Sequence, residues 1–210
     1  MAAENIIRIP RLFSEKGKVY HFTNDALIIT SEVFKNIRTE IPKEKIASLR
    51  FGIEWVKGFY FPIGRNFKIE LKLDDGSVLS LSFASYYGIK KKLYTAKYQH
   101  LINTVWENLF QADLNDIAVR FRDGETLYIN GVEFNKDGLR WGEKELLFWD
   151  KIQLKEYITY FVIRHIDNAK LNKSFYFLTD WDSFLLQQVL KHIIQQRAKY
   201  ADQKYEINLN

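Results

Sequence analysis

The chain contains no cysteine, and only 3 prolines, 10 glycines and 1 methionine in 210 residues. The missing thiols exclude disulfides, cysteine-ligated zinc and thiol catalysis, and they fit a reducing compartment. Histidine is almost as scarce. His21, His100, His165 and His192 stand far apart, without the His-x-x-x-His spacing of a metal-binding helix. No Gly-x-Ser-x-Gly, P-loop or Gly-x-Gly-x-x-Gly sequence occurs. The adjacent carboxylates Asp74 and Asp75 directly precede Gly76 between two alternating segments, which is turn chemistry rather than an acid–base pair. No run approaches the roughly 20 apolar residues of a membrane-spanning helix. The opening ten residues carry an early acid, Glu4, and no apolar stretch of signal-peptide length. The expectation is a cytoplasmic protein that is not an enzyme, with no metal and no cofactor.

What the chain has in quantity is rings. It carries 16 Phe, 12 Tyr and 5 Trp, within a hydrophobic fraction of 47% and a charged fraction of 27%. That composition fills an ordinary core and favours strands over linkers. A chain of 210 residues can be one large domain or two of about 100. The net charge of +5 is a mild excess, compatible with an anionic partner.

Alternation predicts strands at residues 18–23, 26–30, 33–41 and 46–56, and a short aromatic one at 59–61 closed by Pro62 and Gly64. Residues 67–73 and 77–83 alternate strictly around Asp74-Asp75-Gly76, which predicts a β-hairpin with one buried face. The period then changes. Leu101, Ile102, Val105, Trp106, Leu109 and Phe110 form an apolar stripe, so a helix follows, beginning as early as Tyr86 and ending at residues 112–116. The second half opens with Ile117-Ala118-Val119-Arg120-Phe121 and a turn at Arg122-Asp123-Gly124. Strands are expected at 126–129, 132–134, 139–141, 145–148, 152–157, 160–165 and 174–178, with a hairpin turn at Asn130-Gly131. A final helix starts near Asp180 or Asp182 and carries Leu185, Leu186, Val189, Leu190, Ile193 and Ile194.

The halves echo each other. Glu44-Lys45-Ile46 matches Asp150-Lys151-Ile152 at a spacing of 106 residues, and the same spacing relates Asn24 to Asn130, Val33 to Leu139, Ile69 to Phe175 and Leu71 to Phe177. At the helices the spacing falls to 84, Leu101 matching Leu185. A duplicated unit is expected, with domains at 1–112 and 113–210. The first copy has a longer hairpin and a basic segment at 84–98.

A run of strands ending in one amphipathic helix, with Phe148-Trp149-Asp150-Lys151-Ile152 and Ile41-Pro42-Lys43-Glu44-Lys45-Ile46 at matching places, resembles the bacterial pleckstrin-homology-like domains in tandem. The resemblance implies an α+β, mostly β protein. It would consist of two bent-sheet barrels, each capped by a C-terminal amphipathic helix. The first copy lacks the motif's Trp, and the second shows no separate last strand before its helix.

Two stretches carry candidate binding chemistry. Lys90, Lys91 and Lys92, followed by Tyr94 and Lys97, offer cations beside rings for phosphates of lipid or nucleic acid. Short lysine runs are common on solvated surfaces, so a plain helix entrance whose tyrosines pack back on the sheet is the first explanation for them. Trp55, Phe59 and Tyr60, around Gly58, offer a partner surface or ordinary core rings. The expected function is a non-catalytic binding or scaffolding protein that uses the tandem domains to hold a protein or peptide. The alternative is peripheral attachment to an anionic membrane through residues 90–92. Nucleic acid is not the expected partner.

Overall fold

A computed structural model describes residues 5–34 and 37–207, with side chains to residue 199. The chain is α+β and mostly strand, and it divides into two units, Met1–Gln111 and Ala112–Asn210.

Unit 1 begins with an antiparallel meander of β1 (Asn5–Arg11), β2 (Ser14–Phe22), β3 (Ala26–Ser31) and β4 (Arg38–Pro42). A single 3-10 turn at Lys43–Lys45 leads into a second meander of β5 (Ile46–Lys57), β6 (Pro62–Leu73) and β7 (Val78–Tyr86). The alternation read in residues 67–73 is real burial: Phe67, Ile69 and Leu71 are fully enclosed while their neighbours reach the surface. α1 (Lys91–Val105) buries Tyr94, Tyr98, Leu101, Ile102 and Val105 in the same cluster as Ile7, Tyr20, Phe22 and Leu27 of the first sheet. Rings pack on one another within that core, Phe67 stacked on Phe83 at 5.2 Å and Tyr98 tilted on Phe67 at 5.3 Å. A fully buried ring such as Phe67 contributes roughly 1.5–3 kcal/mol relative to exposure.

The helical stretch does not stop where the sequence suggests. A π turn at Trp106–Phe110 follows α1, and α2 (Gln111–Asp123) continues through residues 112–116 and through Ile117-Ala118-Val119-Arg120-Phe121. Asp and Asn at 113–116 are weak helix formers but not breakers. The stop is Gly124, at φ +94°, whose N–H donates to Phe121 O. Nor does the helix begin at Tyr86. Tyr87, Gly88 and Lys90 all take positive φ, so helical backbone starts only at Lys91.

Unit 2 has the same order of elements, with shorter strands and a longer helix. β8 (Leu127–Ile129), β9 (Val132–Phe134), β10 (Gly138–Trp141) and β11 (Leu147–Phe148) form one sheet. β12 (Ile152–Glu156), β13 (Tyr160–His165) and β14 (Asn172–Tyr176) form another, followed by α3 (Ser183–Ile207). Asn130 and Gly131 both take positive φ, 49° and 69°, as a two-residue hairpin turn requires. A 3-10 turn at Trp149–Lys151 precedes Ile152, the counterpart of Lys43–Lys45 before Ile46. Trp149 is buried and its indole N–H donates to Asn135 O at 2.9 Å.

Several expectations need correction. No closed barrel forms among the described residues, because hydrogen bonding does not join the two sheets of either unit. Residues 5–11, not read as a strand, form β1, where Ile7 and Ile9 are buried and pair with Tyr20 and Lys18. Residues 59–61 are a bend between β5 and β6, and Pro62 and Gly64 lie inside β6. Unit 2 does possess a last strand, β14, paired along β13. Consequently the 106-residue spacing holds at Ile46 and Ile152 but fails on both sides of them: Asn24 lies between the second and third strands of unit 1, whereas Asn130 lies between the first and second of unit 2. By place in the sheet, Leu71 opposite Leu49 answers to Ile163 opposite Leu154, and not to Phe177. The buried helix sets also align differently: Tyr98, Leu101, Ile102 and Val105 repeat the spacing of Leu186, Val189, Leu190 and Ile193, whereas Leu185 is only half-buried.

Candidate functional site: an aromatic hairpin tip

β5 and β6 pair without interruption from Ser48 opposite Lys72 to Val56 opposite Gly64. A Cβ on Gly64 would lie 2.7 Å from Ser85 O, so only glycine lets β6 approach β7 this closely. Beyond it a register shift precedes the last pair, Lys57 opposite Pro62, and Gly58 N donates to Phe61 O at 2.9 Å to close a four-residue tip. That short loop leaves its side chains nowhere to go. Phe59 is 101% exposed, Tyr60 97% and Phe61 62%.

Directly behind the tip, Trp55 and Arg65 face each other across the strands, and the guanidinium carbon lies 4.3 Å from the indole centroid. Trp55, Arg65, Tyr87 and Lys91 line a shallow recess of about 220 Å³. The β7–α1 connection brings Tyr87 there in left-handed backbone, φ +50°, a conformation that costs a non-glycine residue about 1–2 kcal/mol. It is held in place by Tyr87 N donating to Ile63 O at 2.8 Å and by the buried Ser85 hydroxyl donating to Ile89 O at 2.7 Å. Lys57, Lys91 and Lys92 are exposed, and none of them joins a salt bridge among the described residues. The acid on this stretch of β5, Glu54, is already satisfied: Lys68 sits at 2.9 Å, and its hydrogen bond, then its charge, hold the carboxyl below the usual range.

The structure therefore gathers Trp55, Phe59, Tyr60 and Lys91 into one region and leaves Lys92 on the exposed side of the first turn of α1. It removes three expected residues. Lys90 turns back and donates to Arg11 O at 3.0 Å and Ser14 O at 3.2 Å, with Glu15 at 2.8 Å. Tyr94 is core, 1% exposed, its hydroxyl donating to Pro10 O at 2.9 Å; burial, and then the Glu15 charge, push its pKa up. Lys97 is half-buried and lies outside the recess. Sequence reading missed Arg65, and it took in Phe61 and Tyr87 only as members of the two candidate stretches. The signal was Gly58, which places a turn before the rings rather than after them.

Unit 2 builds the same feature. Tyr157 N donates to Tyr160 O at 2.9 Å and closes the β12–β13 tip, with Ile158 96% exposed. Tyr160 stacks between Tyr157 at 4.5 Å and Tyr176 at 5.1 Å. Cations do not crowd this tip in the same way, since Lys191 pairs with Glu156 at 3.0 Å.

Among the described residues no group of three His, Asp or Glu side chains is placed to hold a metal ion, and no helix is long and apolar enough to cross a membrane. No protein-family model matches the chain, and no curated protein matches its sequence.

Proposed function

We propose that the chain is a non-catalytic binding protein made of two pleckstrin-homology-like units, and that unit 1 docks on an anionic membrane surface through its aromatic tip. The order of elements supports the fold reading. Each unit runs through a four-stranded meander, a 3-10 turn ending in isoleucine, a three-stranded meander and a helix. The docking reading is carried by one observation: Phe59 and Tyr60 project fully into solvent, with Phe61 largely exposed beside them, on a hairpin whose Lys57 and Arg65 make no salt bridge among the described residues. Rings of this kind settle at the headgroup level of a bilayer. Each nearby lysine or arginine adds about 1 kcal/mol of attraction to an anionic leaflet. The test is co-sedimentation with phosphatidylserine–phosphatidylcholine vesicles. Binding is expected to weaken in high salt and to disappear with Phe59→Ala combined with Tyr60→Ala. Retention of that variant on vesicles, or equal binding to neutral ones, contradicts the proposal.

A protein or peptide partner is the second reading, favoured by the tyrosine stack and Ile158 in unit 2. Tyrosine is enriched where partners bury a central patch. This reading expects a partner captured by the wild-type chain to be lost on Ile158→Asp while vesicle binding is unchanged.

A further inference from the structure

Within unit 2, α2 and α3 line a groove of about 490 Å³ that neither candidate tip uses. Its walls are largely apolar, with Val119 and Phe121 from α2 and Ile193 from α3. No residue of α2 is fully buried, and Val119 is 44% exposed, so this helix keeps apolar surface uncovered. The charged lining is of one sign. Arg122, Lys136 and Arg197 border the groove, no acid does, and none of the three makes a salt bridge among the described residues.

The cations also cluster. Arg197 Nη1 donates to Lys136 O at 3.2 Å. The Lys136 ammonium lies so close over Gly124 that a Cβ there would meet it at 3.1 Å, which sets it against the turn that ends α2, two residues from Arg122. An apolar trough bordered by three cations, none of them in a salt bridge among the described residues, matches a ligand with an apolar body and an anionic head. The volume falls within the few-hundred-Å³ range of small-molecule sites.

We infer that the α2–α3 groove of unit 2 binds a small anionic amphiphile, its chain along Val119, Phe121 and Ile193 and its carboxylate or sulfate held by Arg122, Lys136 and Arg197. Guanidinium groups grip such heads through paired, charge-assisted hydrogen bonds. The cations supply selectivity for the charged head, and the trough supplies selectivity for chain length.

The test is calorimetric titration of the full chain with dodecanoate, below its micellar concentration, against dodecanol of the same length. Dodecanoate is expected to saturate one site and to bind at least tenfold tighter than dodecanol. Arg122→Ala with Arg197→Ala should weaken dodecanoate at least tenfold and leave dodecanol unchanged. Val119→Glu, at a position exposed enough to tolerate the charge, should weaken both. Unaltered thermal melting of each variant keeps the comparison free of unfolding. Equal affinity for acid and alcohol overturns the inference, as does full binding by both variants. Saturable binding of an acidic amphipathic peptide without any binding of dodecanoate also overturns it. Vesicle sedimentation of the same variants is expected to be unchanged, which separates this site from the tip of unit 1.

Discussion

The Arg65 guanidinium carbon stands over the Trp55 ring, 4.3 Å from the indole centroid, and the two residues are direct partners across β5 and β6. The pair holds a cation immediately behind an exposed aromatic tip. An exposed cation–π contact contributes about 0.5–1 kcal/mol. Arg65→Ala is therefore expected to lower stability in urea by less than about 1 kcal/mol, yet to weaken anionic-vesicle binding several-fold. A large stability loss with unchanged vesicle binding would mark Arg65 as purely structural.

Adjacent lysines in the basic segment should behave oppositely. Lys90 is 20% exposed and satisfies two carbonyl oxygens of the β1–β2 turn, whereas Lys91 and Lys92 stand in solvent. Charge-assisted hydrogen bonds of this kind contribute about 1.5–3 kcal/mol. Chemical denaturation should show Lys90→Ala destabilised by about 1–2 kcal/mol after allowance for its partial exposure. Lys91→Ala with Lys92→Ala should leave stability unchanged and weaken vesicle binding.

Tyr20 gives the chain a weakness at high pH. Its hydroxyl is buried without a hydrogen-bond partner among the described residues, and burial raises its pKa, as it does that of Tyr98. An unfolded phenol ionises near pH 10, while the folded ones stay protonated above it. The stability these groups contribute is complete below about pH 10 and is lost as pH rises, by about 1.4 kcal/mol per unit for each tyrosine. Urea titrations between pH 9 and 11.5 should show that decline, shallower in Tyr20→Phe. At neutral pH the same substitution should leave stability equal or raised by about 1 kcal/mol, because a costly unpaired hydroxyl is gone.

Ile152 is 8% exposed at the start of β12, just after the buried Trp149. Ile152→Asp places an unpaired carboxylate there and should cost at least about 3 kcal/mol. Amide spectra are expected to lose the dispersed signals of unit 2. A fully dispersed spectrum would contradict the assigned register.

How much of this was legible in the sequence depends on which forces decide each element. Residues 67–83 could be read directly, because a strict alternation and an Asp-Asp-Gly turn act together and locally. Asn130-Gly131 was equally plain. The matching 3-10 turns before Ile46 and Ile152 showed as a short shared motif, but the spacing between copies could not be extended to either side of them. The strands after that motif differ in length, 12 residues in β5 against 5 in β12, and only pairing across the sheet reveals the slip. Phe59-Tyr60-Phe61 misled because three rings in a row carry strand propensity, whereas the turn at Gly58 decides their fate. The site was visible as residue types at Trp55, Phe59 and Tyr60. Arg65 was not, since its partner is fixed by register. Lys90 looked like its neighbours, and only its left-handed backbone at φ +54° turns it inward.

The most direct test exploits the absence of cysteine. Tyr60→Cys, labelled with an environment-sensitive dye, reports the surroundings of the tip alone, and Asp75→Cys at the β6–β7 turn serves as the control. On phosphatidylserine vesicles the Tyr60 label should shift to the blue and be quenched by a lipid-borne quencher, while the Asp75 label stays unchanged. An unaltered Tyr60 spectrum on protein that has bound those vesicles would contradict the account.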